Sequence, residues 1–512
     1  MGYLEIDIRV PVGMEEEELQ FQLSKKTGIE KFSFSILLKS LDARNKRNIA
    51  WQYRVGITSD EIITGNIPDI PQLELPVKRY KEKAIVAGSG PAGIFTALVL
   101  AESGMQVTLI ERGSSVRNRK NAIDHFEQTK EFSEQNNYAF GEGGAGTFSD
   151  GKLTSRTKGI SKEKNFIFQK FIKCGGPQEI MYMTHPHLGS DNLLGITEKL
   201  RAELINLGGN ILFDTLVTGI KKVDDEVTGV ETETGVFEAD YVVFAPGHSA
   251  YETYRMLIRA GIPFQTKNFA IGMRAEHKQE LINRAQWGVK SLPGVKAAEY
   301  RLTASDEANK PVYSFCMCPG GIVVPSTAYK NSNTVNGMSL YKRNNNMANA
   351  AVVAGLHPDE VLGVDTSVLA TLDWLETLEQ KFFNYAKSYD APAVRIQDFI
   401  NNKVSQNFPE SSYPFSLLSA DLNELLPKRI IESLKTGLQN FSKKLRGYED
   451  GVLIGLESKT SSPIQVLRDR DRLNAGFVNF YIAGEGSGWA GGIVSSAADG
   501  IKVAMKILEV AR

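Results

Sequence analysis

Apolar and polar positions alternate in short runs over the first eighty residues. Leu4 to Val10, Phe32 to Leu38 and Ile49 to Ile57 read as strands and Glu15 to Lys25 as a helix, so residues 1–80 predict a small α+β module. A proline-spaced connection, Pro68 to Pro76, closes it. The pattern then changes. A short apolar strand, Ala84 to Ala87, meets a glycine turn, an apolar-striped helix ending near Gly104, and a second strand closing on Glu111. Asn192 to Leu207 has helical spacing, with Ser190 or Asp191 as its expected cap. Ile211 to Phe213 and Val217 to Ile220 read as strands, Val227 to Glu233 pairs across Thr234-Gly235 with Val236 to Ala239, and Tyr241 to Ala245 is a further strand. Residues 251–449 mix strands with long helices, Val361 to Ala386 and Pro427 to Leu445. Val478 to Ala483 is the last strand, before a glycine-rich turn and a helix running to Val510.

This order predicts an α/β chain with a Rossmann-like domain assembled from 81–250 and 450–512, an inserted α+β substrate domain at 251–449, and the N-terminal module. A length of 512 residues suits two to four domains. The composition, 42% hydrophobic and 23% charged, is that of an ordinary globular protein. A net charge of -1 argues against a general nucleic-acid binder, and the basic segment Arg44 to Arg47 reads as a solvated hairpin before it reads as a phosphate or partner contact. Three cysteines, Cys174, Cys316 and Cys318, make a secreted disulfide framework unsuitable. The N-terminus has no apolar signal core, Ile6 breaks the myristoylation pattern, and no apolar run approaches the roughly 20 residues of a membrane span. A cytoplasmic protein without a membrane span is expected.

The turn Gly88-Ser89-Gly90-Pro91-Ala92-Gly93 carries the clearest chemistry. Gly88 permits a tight turn, Gly90 lets the backbone approach a pyrophosphate, and Gly93 lets the helix pack on the strand, while Glu111 is placed to accept ribose hydroxyls. After it, Arg112, Arg117 and Arg119 are candidates to pair with the pyrophosphate, although one of them reads equally as a surface charge. The segment 140–152 is too glycine-dense for a helix or strand interior and should approach a ligand by its backbone. Its candidate contacts are Gly144, Ala145, Gly146, Thr147, Ser149, Asp150 and Lys152. Val217, and Ala245, Gly247 and His248 at the end of the later strand, form a second contact with a dinucleotide. Gly484, Glu485, Gly491, Gly492 and Ile493 form a third: the carboxylate is expected on a ribityl hydroxyl and the helix amides against the flavin. An NAD-only dehydrogenase has no need of this distant third segment, so the expected cofactor is FAD.

On the substrate side, Glu457, Lys459 and Cys318 are the catalytic candidates, with a structural turn as the competing account. Cys316-Met317-Cys318 reads either as a redox pair or as packing cysteines in a tight turn. His185 and His187 lie two apart with no third ligand nearby, so no metal is expected. No second GxGxxG unit is evident, and any reduced nicotinamide, NADH or NADPH, should bind transiently in the substrate cleft.

With GSGPAG, APGH and GEGSGWAGGI in place, the chain resembles a flavoprotein with the glutathione-reductase type of FAD fold. More narrowly, it resembles an uncharacterised family of FAD-dependent dehydrogenases through FGEGGAGTFSDGKL at 140–153, PHLGSD at 186–191, FCMCPGG at 315–321, NGMS at 336–339, ESKTSSP at 457–463 and GEGSGWAGG at 484–492. Lys459 stands where that pattern usually has arginine, and Trp489 where it usually has tyrosine. The resemblance implies FAD and redox chemistry on a small-molecule substrate that it does not name. Two further classes fit the same motifs: a geranylgeranyl-reductase-like biosynthetic reductase or oxidase of a hydrophobic substrate, and a non-catalytic flavin-containing binding or sensing protein.

Overall fold

The computed structural model describes residues 1–15 and 18–512. The N-terminal module is a three-stranded antiparallel sheet in the order Gly2–Pro11, Ala50–Ser59, Ser33–Asp42. Helix Leu19–Thr27 closes its apolar face, burying Leu19 and Leu23 against Trp51, Tyr53 and Val55. The expected helix from Glu15 to Lys25 thus begins later, and its Glu16 and Glu17 lie outside the described residues.

Five parallel strands form the second sheet, in the order Phe480–Ile482, Tyr241–Phe244, Lys83–Ala87, Gln106–Ile110, Asn210–Leu212. Its residues alternate between two buried faces, as a covered parallel sheet requires. Ala84 and Val86 meet helices Pro91–Glu102 and Ile493–Val510 on one face, whereas Ile85 and Ala87 pack with Val227, Val230 and Val242 on the other. The strand that pairs with the glycine-turn strand comes from the chain's far end only at one remove: Phe480–Ile482 pairs with Tyr241–Phe244, which pairs with Lys83–Ala87. That arrangement brings three distant segments to one sheet edge.

A third sheet has seven strands: Thr303–Ser305, Pro311–Cys318, Met347–Leu356, Phe269–Lys278, Val452–Glu457, Ala391–Arg395, Leu417–Ser419. Helices Val368–Ala386 and Lys428–Lys444 supply Leu375, Phe382, Leu434 and Phe441 to its core. Two expectations change here. Val452–Glu457 pairs with Phe269–Lys278, so residues 452–457 belong to this sheet and not to the parallel one. The single helix expected from Val361 to Ala386 is two, because Gly363 adopts φ 103 and Ser367 then caps a new helix by accepting from Ala370 N at 3.1 Å. Likewise neither Ser190 nor Asp191 caps helix Gly189–Asn206; Asp191 accepts instead from Tyr341 N at 2.8 Å. No helix among the described residues is long and apolar enough to cross a membrane.

Candidate functional site

A cavity of about 1180 Å³ lies between the parallel sheet and the seven-stranded sheet. At its parallel-sheet end, Gly88 has φ 104, and a Cβ there would stand 2.3 Å from the Ala245 carbonyl oxygen. A Cβ on Gly93 would stand 1.8 Å from the Gly88 oxygen, so the helix packs on the turn as the glycine spacing predicts. Gly90, Pro91 and Ala92 present the first helical turn to the cavity with no side chain capping it. Its amides are therefore available to an anion. Gly144, Ala145 and Gly146 fold over that turn, and Gly144 lies against the Gly90 Cα.

Glu111 reaches the cavity wall with its acceptors already engaged. Oε2 accepts from Ser89 N at 2.9 Å and Ser89 Oγ at 2.7 Å, and Oε1 from Gly113 N at 3.0 Å and Gly141 N at 3.2 Å. The carboxylate thus ties the first glycine turn to the second glycine segment. Among the three arginines, only Arg112 lines the cavity, stacked 3.8 Å over Phe140 and paired with Glu252. Arg119 is a correction: it is wholly buried and cannot meet a pyrophosphate. Its Nε donates to the Asn137 carbonyl at 2.8 Å, its Nη1 to those of Glu142 and Gly144 at 2.8 Å each, and its Nη2 to that of Tyr138 at 3.0 Å. It braces the glycine segment from behind. Arg117 turns outward to Glu198.

Two residues of that segment also leave the cofactor. Thr147 faces a small apolar cavity behind the turn. Asp150 is buried, accepting from Arg343 Nε at 2.9 Å and Nη2 at 2.5 Å and from Lys152 Nζ at 2.5 Å. Burial alone would raise its carboxyl, but Lys152 and Arg343 hold it down to about 2. Ser149 and Lys152 do line the cavity.

The other two cofactor segments arrive as expected. Val217, Ala245, Gly247 and His248 form one wall. His248 Nε2 contacts the Ser461 carbonyl at 2.8 Å, which makes that nitrogen the donor and leaves Nδ1 a buried acceptor with no partner among the described residues. Burial, then Lys459, lowers its pKa to about 3, so the ring is neutral. Glu485, Gly491, Gly492 and Ile493 complete the wall, where the 18-residue helix Ile493–Val510 begins. Burial pushes Glu485 up to about 7 despite Lys267 nearby, and no side chain or amide among the described residues bonds its carboxyl. Gly484 sits behind the wall, its N–H donating to Asp499 Oδ2 at 2.8 Å.

On the seven-stranded side, the catalytic expectations are redistributed. Glu457 is buried and pairs with Arg274 Nη2 at 2.8 Å. Cys318 is buried, and Cys316 lines the cavity in its place. Lys459 lines the cavity as expected, its Nζ bonded to Glu379 Oε1 and Tyr251 Oη at 2.7 and 2.6 Å. Arg274 and Arg343 are the residues that sequence reasoning missed. Arg274 gathers three motifs, donating also to the Cys316 carbonyl at 2.9 Å and to Asn336 Oδ1. Its signal was present: an arginine inside FAIGMRAEHK, a strand with nine of its ten positions buried. His185 and His187 do not converge; His185 pairs with Glu299 and His187 contacts the Tyr341 carbonyl.

Residues 268–460 match the family model described as "FAD-dependent protein, C-terminal domain-like", and residues 81–125 match "FAD binding domain". An uncharacterized protein of Clostridium beijerinckii is 36% identical over 513 residues, covering 96% of each chain. The chain belongs to this family of FAD-dependent proteins. Its fold is an α/β FAD-binding fold, and its cofactor is FAD. Among solved structures, L-proline dehydrogenase from P. horikoshii has a TM-score of 0.35 at 15% identity, covering 85% of this chain and 95% of that one. A geranylgeranyl bacteriochlorophyll reductase-like protein from Thermoplasma acidophilum has 0.35 at 12%, covering 84% and 79%. The residues present fit FAD: an uncapped helix start over a glycine turn, a Glu485 carboxyl with no bonded partner among the described residues, and His248 all line one cavity.

Proposed function

We propose that this FAD-dependent protein is an oxidoreductase of a small-molecule substrate, with FAD held in a glutathione-reductase-type fold and the seven-stranded domain covering the reacting face. The observation that carries this reading is the cavity's dual wall: three cofactor segments on one side, and Lys459, Cys316, Lys152 and Arg343 on the other. At about 1180 Å³ it exceeds the roughly 300–1,000 Å³ of common single-ligand pockets, which suits a cofactor and a second molecule together.

When bound, FAD supplies hydride or electron transfer at flavin N5. The Gly90 and Ala92 amides would receive the pyrophosphate, Pro91 between them having no N–H, and Arg112 would be its cationic partner. Glu485 accepts a hydroxyl from the cofactor's ribityl chain. The helix start at Ile493 favours negative charge beside it. Glu111, which accepts from the Ser89 hydroxyl at Oε2, would hold a ribose hydroxyl of the cofactor. Lys459 presents its ammonium to the cavity, its Nζ held by Glu379 and Tyr251. A reduced nicotinamide binds transiently in the cleft, and the protein works in the cytoplasm.

An anaerobic visible spectrum of the purified protein tests this, followed while NADH, NADPH and then a metabolite panel are added. Rapid bleaching by a nicotinamide identifies a reductase, and bleaching by a metabolite alone identifies a dehydrogenase or oxidase of that compound. A flavin that no donor reduces would sink the oxidoreductase reading.

A further inference from the structure

We propose that Cys316 and Cys318 form a dithiol–disulfide couple that opens onto the FAD cavity and exchanges electrons with a small anionic disulfide. Their placement is asymmetric in the way such a couple needs. Cys316 lies in the cavity wall, and Cys318 is wholly buried behind it. The Cys318 thiol donates to the Cys316 carbonyl at 3.3 Å. The attacking thiol is thus accessible, and the resolving thiol is shielded and bonded to the backbone of the same residue.

The backbone is bent to achieve this. Cys316 has φ 43, a left-handed conformation uncommon outside glycine, and the pairing register slips between Phe315 and Cys318. Arg274 holds the bend by donating to the Cys316 carbonyl, and Lys152 holds it by donating to the Met317 carbonyl. Packing alone gives no reason for a strained cysteine in a cavity wall. Two residues apart, the Cα atoms stay within the roughly 7 Å that a disulfide tolerates. The hydrogen bond from Cys318, with Lys152 and Arg274, lowers the Cys316 pKa and favours its thiolate, while Cys318 is raised. Lys152 and Arg343 both line the cavity and share the one carboxylate of Asp150, with Glu299 3.8 Å from Arg343 Nη1; these two cations are the groups a substrate's carboxylates would meet. Cys174, the remaining cysteine, is packed in the core behind the parallel sheet.

In the exchange, the Cys316 thiolate attacks one sulfur of the bound disulfide. That S–S bond breaks, one half leaves as a thiolate, and the other half stays bonded to Cys316. Cys318 then loses its proton and attacks the Cys316 sulfur, expelling the second half and closing the Cys316–Cys318 disulfide. The two protein thiols lose one electron pair, the external disulfide gains it, and the released thiols take up the two protons. Resupply of that pair from reduced FAD rests on the oxidoreductase reading; the exchange itself does not.

The test uses the FAD-loaded protein, kept anaerobic and incubated with oxidised glutathione, whose carboxylates match Lys152 and Arg343. Samples are quenched into denaturant with an alkylating reagent and analysed by peptide mass. The expected result is that Cys316 and Cys318 lose alkylation together, joined by a disulfide that dithiothreitol reopens, while Cys174 stays alkylated. Cys318→Ser should accumulate one glutathione on Cys316, and Cys316→Ser should take none. Persistent alkylation of all three cysteines in the wild-type protein overturns the proposal, as does glutathione held on Cys316 of the wild-type protein without closure onto Cys318. The flavin spectrum of the same samples, with and without a nicotinamide, reads the oxidoreductase proposal separately, because thiol closure needs no flavin reduction.

Discussion

The two walls of the cavity meet a ligand with different parts of the chain. On the parallel-sheet side the backbone does so: Gly88 and Gly144 stand where a side chain would be crowded by neighbouring backbone, and two helix starts point inward. On the seven-stranded side, side chains do so, and each is fixed by a buried ion pair: Arg343 and Lys152 by Asp150, Lys459 by Glu379, with the Arg274–Glu457 pair buried behind them. A backbone site tolerates almost no added atoms but depends on no distant partner. An ion-pair site tolerates shape changes better and fails when one partner is lost. The contrast orders the following variants by effect.

Gly93→Val should be the most damaging. A Cβ 1.8 Å from the Gly88 oxygen and 2.9 Å from its carbonyl carbon meets backbone that cannot yield, so helix Pro91–Glu102 cannot keep its seat on the turn. A loss of about 4–5 kcal/mol is expected, at the extreme of single substitutions, together with loss of bound FAD. Flavin content and a denaturation curve on the same preparation check it. A Gly93→Val protein that keeps its flavin would remove the distinction between the two walls.

Arg274→Met tests the other wall. It leaves Glu457 buried without its partner and strips a donor from the Cys316 carbonyl, at an expected cost of about 3–5 kcal/mol. Adding Glu457→Leu should recover about 1–4 kcal/mol, because the stranded charge is gone. Urea denaturation of both single variants and the double variant reads the coupling. Simple additivity would mean that the pair is not held as the geometry shows.

Glu485 stands between these extremes, a side chain set into the backbone wall. Its folded-state pKa of about 7 lies above the ordinary 4.5, so the folded protein holds the proton more tightly than the unfolded chain does. Stability contributed by that proton is present below pH 4.5 and is lost as pH rises toward 7. His248, near 3, and His187, near 4, act oppositely, withdrawing stability as pH falls below 6.5. The wild-type profile therefore mixes the two, and the difference from Glu485→Gln isolates one. In the FAD-free protein, Glu485→Gln should gain on wild type by about 1–3 kcal/mol between pH 4.5 and 7.5. A flat difference would place a neutralising partner beside Glu485.

The same contrast decides what could be read from the sequence. Glycine spacing is a local signal, and the turn at 88–93, the strand ends at Ala245 and the closing segment at 484–493 all arrive at the cavity from local patterns. Ion pairs are not local. Asp150 finds Arg343 across 193 residues and Arg274 finds Glu457 across 183, so residue type at those positions reveals a charge but not its use. That is why Asp150 and Glu457 were expected at ligands and are found holding arginines. The domain edge near 450 failed for a related reason: Val452–Glu457 reads as a strand from its apolar run, but sheet membership is set by its neighbours Phe269–Lys278 and Ala391–Arg395.

The smallest effect belongs to the arginine cluster, where one chain segment offers three guanidiniums of equal sequence appearance. Arg117 is 66% exposed and paired with Glu198 on the surface, so Arg117→Ala should shift stability by no more than about 0.5 kcal/mol and leave FAD affinity unchanged. Arg112→Ala should weaken FAD binding with the fold intact, because its side chain faces the cavity. Arg119→Lys should damage the fold first, since one ammonium cannot replace a planar fork that serves the carbonyls of Asn137, Tyr138, Glu142 and Gly144. Fluorescence titration of FAD beside a thermal melt separates the three. Weaker FAD binding in the Arg117 variant at unchanged melting temperature would mean that phosphate recognition extends to the exposed helix face, and that the cavity wall alone does not set affinity.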